Sequence, residues 1–554
     1  MKEVLDWCWL LVLSLLLLIL LLKVMCLLWW RPRRIEEHFA KQGIKGPPYR
    51  FFIGNIKELM GMMLKASSHP MPLSHNIVPR VLSFYHHWKK IYGATFLVWF
   101  GPTARVTVSD PELIREIFSF KSEFYEKNES HPLMRQLEGD GLLTLKGAKW
   151  AHHRKIIQPT FFMDNLKMLI PVMGKKVEEM MDKWSAMSDA TGGGGGEEVE
   201  IEVSEWFQTL TEDVITCTAF GSSYEEGKAV FRLQAKQMVY VAEAFEKIFI
   251  PGYRFIPTKK NRNSWILERE IKKSLVKLIE RRRENSGDES ETPEGFQSHK
   301  DLLGLMIKAG ADGDKVQQRS SLPENGSSPA AGSAITVRDI VEECKSFFFA
   351  GKQTTSNLLT WITVLLAMHP EWQRKARDEV LRVCGSRDSP SKDAIHKLKT
   401  LSMIVNETLR LYPPAIATIR RAKADVELGG YKIPRGTELL VPILAVHHDQ
   451  SLWGHDVNEF NPARFSEGVT QAANHPMAFI PFGLGARTCI GQNLATLQAK
   501  LAIAVILQRF SFRLAPTYQH APTVLMLLHP QYGAPIIFRH LLASETSISR
   551  DQGS

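Results

Sequence analysis

A single cysteine, Cys489, lies in a loop that could present it to a metal. The segment 482–491 holds three glycines, which permit backbone torsions and close approaches that a side chain would block. An apolar periodicity begins after Cys489 and predicts a helix, whose N-terminal amides would favour a thiolate over a thiol. A lone thiolate on such a loop suits the axial ligand of a haem, with Arg487 able to pair with a propionate. A buried free cysteine is the alternative interpretation.

A second group with possible chemistry lies in the stretch 337–366, whose apolar residues predict a long, largely buried helix. Its middle holds Ala350, Gly351, Gln353 and Thr354. The Gly-Lys pair there is similar to the end of a phosphate-binding loop, but that motif's first glycine and its Ser/Thr are missing. A mid-helix glycine and hydroxyls usually mean only tolerated local strain. Alternatively, Gly351 lets the helix pass close to a flat cofactor, and Thr354 bends it and presents a hydroxyl to a ligand.

The cysteine loop resembles the haem-binding signature of the cytochrome P450 monooxygenases. It matches that signature at Phe482, Gly485, Arg487, Cys489 and Gly491. The resemblance implies a mainly α fold with small β-sheets and a haem b cofactor whose iron takes Cys489 as its axial ligand. It also implies an NADPH- and O₂-dependent enzyme, in which the thiolate pushes electron density onto the iron and favours O–O cleavage.

The same resemblance assigns haem contacts elsewhere in the chain. Trp150 and Arg154 are four residues apart in a predicted helix, and in the family such a pair contacts the haem propionates. A surface stack of arginine on tryptophan is the simpler alternative. Arg420 aligns best with a further propionate partner, and Arg421 is the competing choice.

The predicted helix around Thr354 is similar to the oxygen-activating helix of the family, in which that threonine helps to deliver protons. Many members carry an acid where this chain has Gln353. Because an amide cannot supply a proton by ionisation, the relay here would have to use water and Thr354. Ala350 and Gly351 complete this predicted site.

Further polar residues are predicted to be structural. Glu407 and Arg410 are three residues apart between apolar neighbours, which predicts a buried pair that needs more partners, and the resemblance adds Arg464 to it. His152 and His153 are expected to be exposed helix residues, because their spacing puts them on different faces of the helix.

The N-terminus predicts a membrane anchor. Nearly every residue over 7–30 is apolar, and such a helix would be about 36 Å long, enough to cross a bilayer. The run ends in two tryptophans and three arginines follow it, so the positive-inside bias places the N-terminus in the lumen and the remainder in the cytosol. We therefore predict a single-pass protein of the endoplasmic reticulum membrane, with a cytosolic catalytic domain and membrane lipid as a partner.

We predict four parts in the chain. They are an anchor at 1–34, a basic, Pro- and Gly-rich hinge at 35–48, one haem-thiolate catalytic domain at 49–540 and a polar tail at 541–554. The glycine run 192–196 and the polar stretches 284–297 and 309–335 are predicted to be loops.

Charge and cysteine content narrow the class of protein. Six cysteines are scattered without pairing or metal-ligand spacing, which argues against a disulfide scaffold or a zinc site. The net charge of +10 is modest and reflects either a solvated surface or a basic face for an acidic electron-transfer partner. No nucleic-acid-binding module is evident. Without a flavin or dinucleotide motif in the chain, electrons would come from a separate NADPH–cytochrome P450 reductase.

The substrate is predicted to be small and hydrophobic, since the expected pocket walls are apolar. Segment 245–255 is either a membrane-dipping entrance or an ordinary buried helix end. Within the family, segments 349–361 and 529–535 look like the plant enzymes that hydroxylate brassinosteroids at C-26 and inactivate the hormone. The alternatives are a cytokinin or other small-lipophile hydroxylase, or an oxygen-independent thiolate-haem isomerase or dehydratase.

Overall fold

A computed structural model describes residues 2–130, 132–190, 198–245, 256–285, 301–319, 335–386 and 389–541. Most of these residues are helical, and the strands form small sheets. The predicted fold class, mainly α with small β-sheets after an N-terminal apolar helix, is confirmed. The predicted loop 192–196, residues 286–297 of the predicted loop 284–297, residues 246–255 of segment 245–255 and the tail beyond residue 541 lie outside the described residues. Residues 284 and 285 are helical, so the prediction of a loop is wrong for them.

The α-helices are α1 (Lys2–Met25), α2 (Arg31–Ala40), α3 (Ile56–Ser67), α4 (Val78–Val81), α5 (Ser83–Tyr92), α6 (Pro111–Arg115), α7 (Pro132–Glu138), α8 (Gly147–Ile157), α9 (Met163–Lys167), α10 (Ile170–Ala190), α11 (Val203–Phe220), α12 (Tyr224–Phe245), α13 (Lys259–Asn285), α14 (Leu302–Arg319), α15 (Val337–Met368), α16 (Pro370–Cys384), α17 (Lys392–Lys397), α18 (Lys399–Leu411), α19 (Ile443–His447), α20 (Gln450–Trp453) and α21 (Gln492–Arg509). The strands are β1 (Phe96–Phe100), β2 (Thr103–Thr107), β3 (Tyr125–Lys127), β4 (Glu198–Glu202), β5 (Thr418–Ala422), β6 (Val426–Leu428), β7 (Tyr431–Ile433), β8 (Glu438–Val441), β9 (Phe510–Leu514), β10 (Pro522–Leu525), β11 (Leu527–Pro530) and β12 (Pro535–His540).

The N-terminal helix is longer than the anchor that the sequence predicts. α1 continues through a π-helical turn at Cys26–Trp30 into α2, and by length and composition this helix could cross a membrane. The helix ends at Ala40, so the segment predicted as a hinge begins inside it. The reason is tertiary packing: Phe39 is fully buried against the body, and Glu36 Oε1 accepts the backbone N–H of Tyr49 at 2.8 Å.

Helix α15 runs through the centre of the molecule, as the sequence predicts. A capping box fixes its start: the Thr336 hydroxyl accepts from the Asp339 amide, and the Asp339 carboxylate accepts from the Thr336 amide. The second half of the helix is buried almost completely and packs against α11, α18 and α21. Trp361 in this half stacks on Tyr412 at 4.3 Å. The central helix is therefore a rigid element on which a site can be built.

The largest sheet brings together segments that are far apart in sequence. β1 and β2 form an antiparallel hairpin, and the strand order is β1-β2-β8-β5-β3. β5 pairs antiparallel with both β8 and β3. This arrangement places residues 125–127 beside residues 420–422.

One predicted loop is partly helical. α14 extends to Arg319, so the prediction of a loop from residue 309 is wrong for its first part. The buried residues Leu302, Leu303 and Met306 anchor this helix in the core, and Gly310 does not interrupt it. Burial of an apolar stripe outweighs the low helix propensity of glycine.

The predicted Glu407–Arg410 pair is buried, and both side chains are fully inaccessible. Two hydrogen bonds of 2.7 Å join the guanidinium to the carboxylate. Arg410 also donates to the carbonyls of His447 and Val457, at 3.0 and 2.8 Å. The Nε atom of Arg464 lies 3.6 Å from Glu407 Oε1. This network ties α18 to the chain that leads into the cysteine loop.

We expect Glu407→Gln to lower the free energy of unfolding by about 3–5 kcal/mol, because it leaves the charge of Arg410 buried without a carboxylate. Urea unfolding in detergent, followed by tryptophan fluorescence, measures this loss.

Asp164→Asn is the matched control. It removes the carboxylate of an i,i+3 pair with Lys167 whose aspartate side chain is 97% exposed. This change should cost less than about 1 kcal/mol. Equal losses in the two variants would contradict the assigned role of the buried network.

Candidate active site

The loop that carries Cys489 has the form that the sequence predicts. Gly483 and Gly485 have φ values of +73° and +66°, and a Cβ on Gly485 would lie 2.2 Å from the carbonyl oxygen of Phe118. Gly491 differs from the prediction, because its φ is −91° and a Cβ there would meet only ordinary contacts. The amide of Cys489 donates to the half-buried Phe482 at its carbonyl oxygen, at 2.9 Å. Helix α21 begins three residues after the cysteine.

The thiol of Cys489 is accessible although protein surrounds it. Burial raises its pKa above the ordinary range, while hydrogen bonding from the amides of Gly491 and Gln492 and the charge of Arg154 lower it. The helix N-terminus thus acts in the predicted direction, but in the protein alone the loss of hydration outweighs it. A thiol that is both enclosed and accessible faces an internal cavity, so its surface is available to a ligand.

Four cations lie near this cavity: Lys127, Arg154, Arg420 and Arg487. Arg154 donates to the carbonyl oxygen of Thr488 at 2.9 Å, next to the cysteine, and Arg487 donates to Leu145 O at 2.8 Å. Among the described residues, no carboxylate oxygen lies within ion-pair distance of the four. The cluster therefore carries a positive charge that nearby acids do not neutralise by direct pairing.

Sheet register creates part of this cluster. Lys127 on β3 is the direct cross-strand partner of Arg420 on β5, and like charges at such positions repel. Arg421 is different, since its cross-strand partners are Glu126 and Glu438. The geometry therefore favours Arg420 over Arg421 as a residue for an anionic ligand.

Burial and repulsion from neighbouring cations lower the pKa values of Arg420 and Arg487. Burial, with a further effect of Arg487, lowers the pKa of Arg420 to about 10. Burial and the charge of Arg154 lower the pKa of Arg487 to about 10. Both remain charged at neutral pH. An anionic group bound here would relieve the repulsion between them.

Trp150 belongs to the same cluster, and its partner is Arg487 and not Arg154. The guanidinium of Arg487 lies 4.3 Å from the centre of the Trp150 ring, and Arg154 turns towards the cysteine loop instead. Arg420 is similarly stacked on Phe118 at 4.5 Å. These aromatic contacts hold the guanidinium groups without neutralising them.

The donor set fits a haem. It offers an accessible thiol as an axial ligand and, nearby, a cluster of four cations suited to two propionate carboxylates. Cys489, Arg487, Trp150, Arg154 and Arg420 are the residues that could hold the group.

One side of the middle of α15 is accessible, whereas its neighbours are buried. Ala350, Gly351, Gln353 and Thr354 are all half-buried. The Thr354 hydroxyl donates to Ala350 O at 2.6 Å, and Gln353 Nε2 donates to Asn357 Oδ1 at 3.0 Å. Thr354 therefore makes the hydrogen bond to the preceding turn that can bend a helix.

The close contact that the structure shows for Gly351 is with another helix, and the expected closeness to a flat cofactor stays a prediction. A Cβ on this residue would lie 2.8 Å from the side chain of Ile215 on α11, so the glycine allows two helices to approach each other. Lys352 strengthens the same interface, because its ammonium lies 2.5 Å from Glu212 Oε2 on α11.

Sequence reasoning missed two features of the site. His153, expected to be exposed, is 2% exposed, and its Nδ1 lies 2.6 Å from Glu343 Oε1 on α15. Glu343 also accepts the amide of Leu142 at 2.9 Å, so it connects α15 to the loop before α8. Lys127 was the other omission. The pairing of Lys127 with β5 and the contact of His153 with Glu343 both join residues far apart in the chain. Neither contact leaves a local signal in the sequence.

A cavity of about 800 Å³ lies elsewhere, beside His75 and His369. Their Nε2 atoms are 3.0 Å apart, and His75 Nδ1 lies 2.9 Å from the hydroxyl of Tyr412. This cavity shares no lining residue with the cysteine loop or the accessible side of α15.

The chain is similar to known proteins over nearly all its length. The cytochrome P450 family model matches residues 70–536. Cytochrome P450 734A1 of Arabidopsis thaliana is 70% identical over 539 residues, which cover 97% of each chain. Cytochrome P450 734A6 of Oryza sativa subsp. japonica is 62% identical over 532 residues, or 95% of each chain.

A solved structure shows the same fold. The haem domain of cytochrome P450DA has a TM-score of 0.70 and 24% identity, with coverage of 91% of this chain and 98% of that one. The cysteine loop, the central helix and the cation cluster lie within the matched region. The chain therefore belongs to the cytochrome P450 family and is a haem-containing monooxygenase.

Proposed function

We propose that this monooxygenase hydroxylates brassinosteroids on the side chain at C-26 and thereby inactivates the hormone. The observation that carries the proposal is that one segment resembling brassinosteroid C-26 hydroxylases is bonded to the strand in which the other begins. Segment 349–361 forms the middle of α15, and segment 529–535 begins in β11. The Asn357 side chain on α15 donates to the carbonyl oxygen of Leu528 at 2.8 Å, and Leu528 on β11 directly precedes the second segment. The 70% identity to cytochrome P450 734A1 supports a substrate shared with that relative.

The lining near these segments suits a steroid-like substrate. Met526, at the tip of the β10–β11 hairpin, belongs to an apolar cluster with Leu137, Val241 and Phe349. Met526 has a φ of +72°, which is uncommon for a residue with a side chain. Apolar walls with few polar groups favour a hydrophobic ligand. The hairpin tip therefore presents methionine, a flexible apolar side chain, to the pocket.

In this proposal each site residue has a defined task. Cys489 would ligate the haem iron, Phe482 would frame its loop, and Trp150 with Arg154, Arg420 and Arg487 would hold the propionates. When bound through a thiolate, haem supplies the chemistry that inserts one atom of dioxygen into an unactivated C–H bond. We add Lys127 to the residues that would contact the propionates, because it lies directly opposite Arg420 on the neighbouring strand.

The residues of α15 control proton delivery. Thr354 donates its hydroxyl proton to Ala350 O, which leaves its oxygen as an acceptor on the cavity side. Gln353 occupies the position of an acid and cannot ionise, so protons travel through water that these side chains hold. Gly351 contributes indirectly, since its contact with Ile215 fixes α15 against α11.

We further propose that electrons come from NADPH through a separate cytochrome P450 reductase, which docks on the face nearest Cys489. The apolar helix would anchor the chain once in the endoplasmic reticulum membrane, with the catalytic domain in the cytosol. The division into anchor, connector, one catalytic domain at 49–540 and polar tail remains our proposal. The burial of Phe39 supports a connector that is docked to the catalytic domain over its first residues.

Microsomes that contain the full chain and the reductase should convert castasterone and brassinolide to products that gain one oxygen atom on the side chain. Mass spectrometry with fragmentation locates the added oxygen. The reaction should require NADPH and O₂, which excludes an isomerase or dehydratase. Product formation from a cytokinin and not from either steroid would contradict the substrate assignment while keeping the enzyme class.

Arg420→Leu should weaken haem retention about tenfold or more, because it removes a charge-assisted interaction worth about 1.5–3 kcal/mol. The rate of haem transfer to apomyoglobin measures this effect.

Arg421→Leu is the control on the adjacent position of the same strand. Its cross-strand neighbours are acidic, so its loss should leave the transfer rate nearly unchanged. If both variants lost haem equally, the distinction between the two arginines would be wrong.

A further inference from the structure

Asn357 connects the accessible side of α15 to the β10–β11 hairpin. It lies one turn after Gln353 and is 4% exposed. Its Nδ2 donates to Leu528 O at 2.8 Å, and its Oδ1 accepts from Gln353 Nε2 at 3.0 Å. Leu528 is itself held, because its amide donates to Pro414 O at 2.9 Å. A single buried amide therefore bridges a fixed backbone carbonyl and the side chain at position 353.

This chain of contacts determines which way each amide points. A backbone carbonyl can only accept, so the NH₂ group of Asn357 must face Leu528. The oxygen of Asn357 then faces Gln353, which must present its own NH₂ group. Gln353 Oε1 is left over, and it has no hydrogen-bond partner among the described residues. Gln353 is half-buried, and its Oε1 is not among the buried oxygens that lack a partner, so this oxygen is accessible to a ligand.

The neighbouring Thr354 has a similar polarity. Its one hydroxyl proton is used on Ala350 O at 2.6 Å, so its oxygen offers only lone pairs to a further ligand. Residues 353 and 354 thus present two adjacent acceptors and no ionisable proton. The group that matches two acceptors is an O–H donor, and water is the donor that such a pair can bind and exchange.

We propose that Asn357 is a positioning residue that holds the Gln353 amide with Oε1 turned towards the site, where it accepts a hydrogen bond from a water molecule of the proton path. The inference rests on the proposed function, since it deepens the role given there to Gln353 and Thr354. It also gives a reason for an amide at this position. A carboxylate would place an acceptor against the Asn357 oxygen, which the contact with Leu528 holds in place.

Unfolding of Gln353→Glu at different pH values tests the matched pair without any substrate. To keep the contact, the new carboxyl must donate to Asn357 Oδ1 and therefore keep its proton. Folding would then raise its pKa above the ordinary value of about 4.3. A raised pKa gives stability that is present at low pH and is lost as pH rises. The urea midpoint of Gln353→Glu should fall further below that of the native chain between about pH 5 and about pH 8.

The same substitution in an Asn357→Leu background is the control. Leucine has no acceptor, so the pH-dependent difference between Gln353 and glutamate should disappear there. Both variants of this background, with glutamine or glutamate at position 353, leave the Leu528 carbonyl without its donor. The cost of that loss therefore cancels when their stabilities are compared. The proposal is overturned if the pH-dependent difference is absent from the native background, or if it is equal in both backgrounds.

A second measurement addresses the proton path in the complete enzyme. Gln353→Met and Asn357→Leu should each lower the product formed per NADPH consumed, because both remove the oriented acceptor. The double variant should lose no more than the worse single variant, since Asn357 acts through Gln353. Additive losses would overturn the positioning role. If the chain hydroxylates no brassinosteroid, the proposed substrate fails, but the unfolding cycle still decides the inference.

Discussion

Electrostatic repulsion among cations near Cys489 is the constraint on which this site depends. Lys127 and Arg420 lie directly opposite each other across two strands, and Arg487 is close enough to lower the pKa of Arg420. Backbone carbonyls and aromatic faces hold the guanidinium groups in position but add no negative charge. The arrangement is costly for the protein alone and favourable beside a dicarboxylate. Affinity for the cofactor and local stability of this sheet edge are therefore linked.

Helix α15 transmits this constraint to the rest of the molecule through buried polar contacts. Near its start, Glu343 meets His153 on α8, the helix that also carries Arg154. At its middle, Lys352 pairs with Glu212 on α11, and one turn later Asn357 holds β11. Each contact is specific in direction, unlike the apolar packing around it. The central helix thus holds α8, which carries Arg154, and the β10–β11 hairpin in fixed positions relative to each other.

The sequence predicted those features that depend on neighbours within a few residues. The glycine-shaped loop at Cys489, the buried helix around Thr354 and the Glu407–Arg410 pair all have local patterns. The cross-strand neighbours favour Arg420 over Arg421 for an anionic ligand, and the role of Arg420 as a haem contact stays a prediction.

The errors have a common physical cause, since each depends on a partner that is distant in the chain. Lys127 became a site residue only through β-sheet register, and His153 is buried only because Glu343 lies above it. The tight contact of Gly351 with Ile215 on another helix was not predicted. The thiolate argument for Cys489 counted the helix N-terminus and left out the loss of hydration that burial brings. Patterns among neighbouring residues carry no information on contacts between distant residues or on the burial that tertiary packing brings.

The helix that continues from α1 into α2 couples two parts that a flexible linker would have separated. α2 is fixed to the body by the buried ring of Phe39 and by the contact between Glu36 and the Tyr49 amide. One residue inserted before Pro32 would turn the apolar part by about 100° against the body and shift it by about 1.5 Å. If the apolar part lies in a bilayer, as we propose, the number of residues in this helix sets how high the body stands above the membrane and which way the body faces.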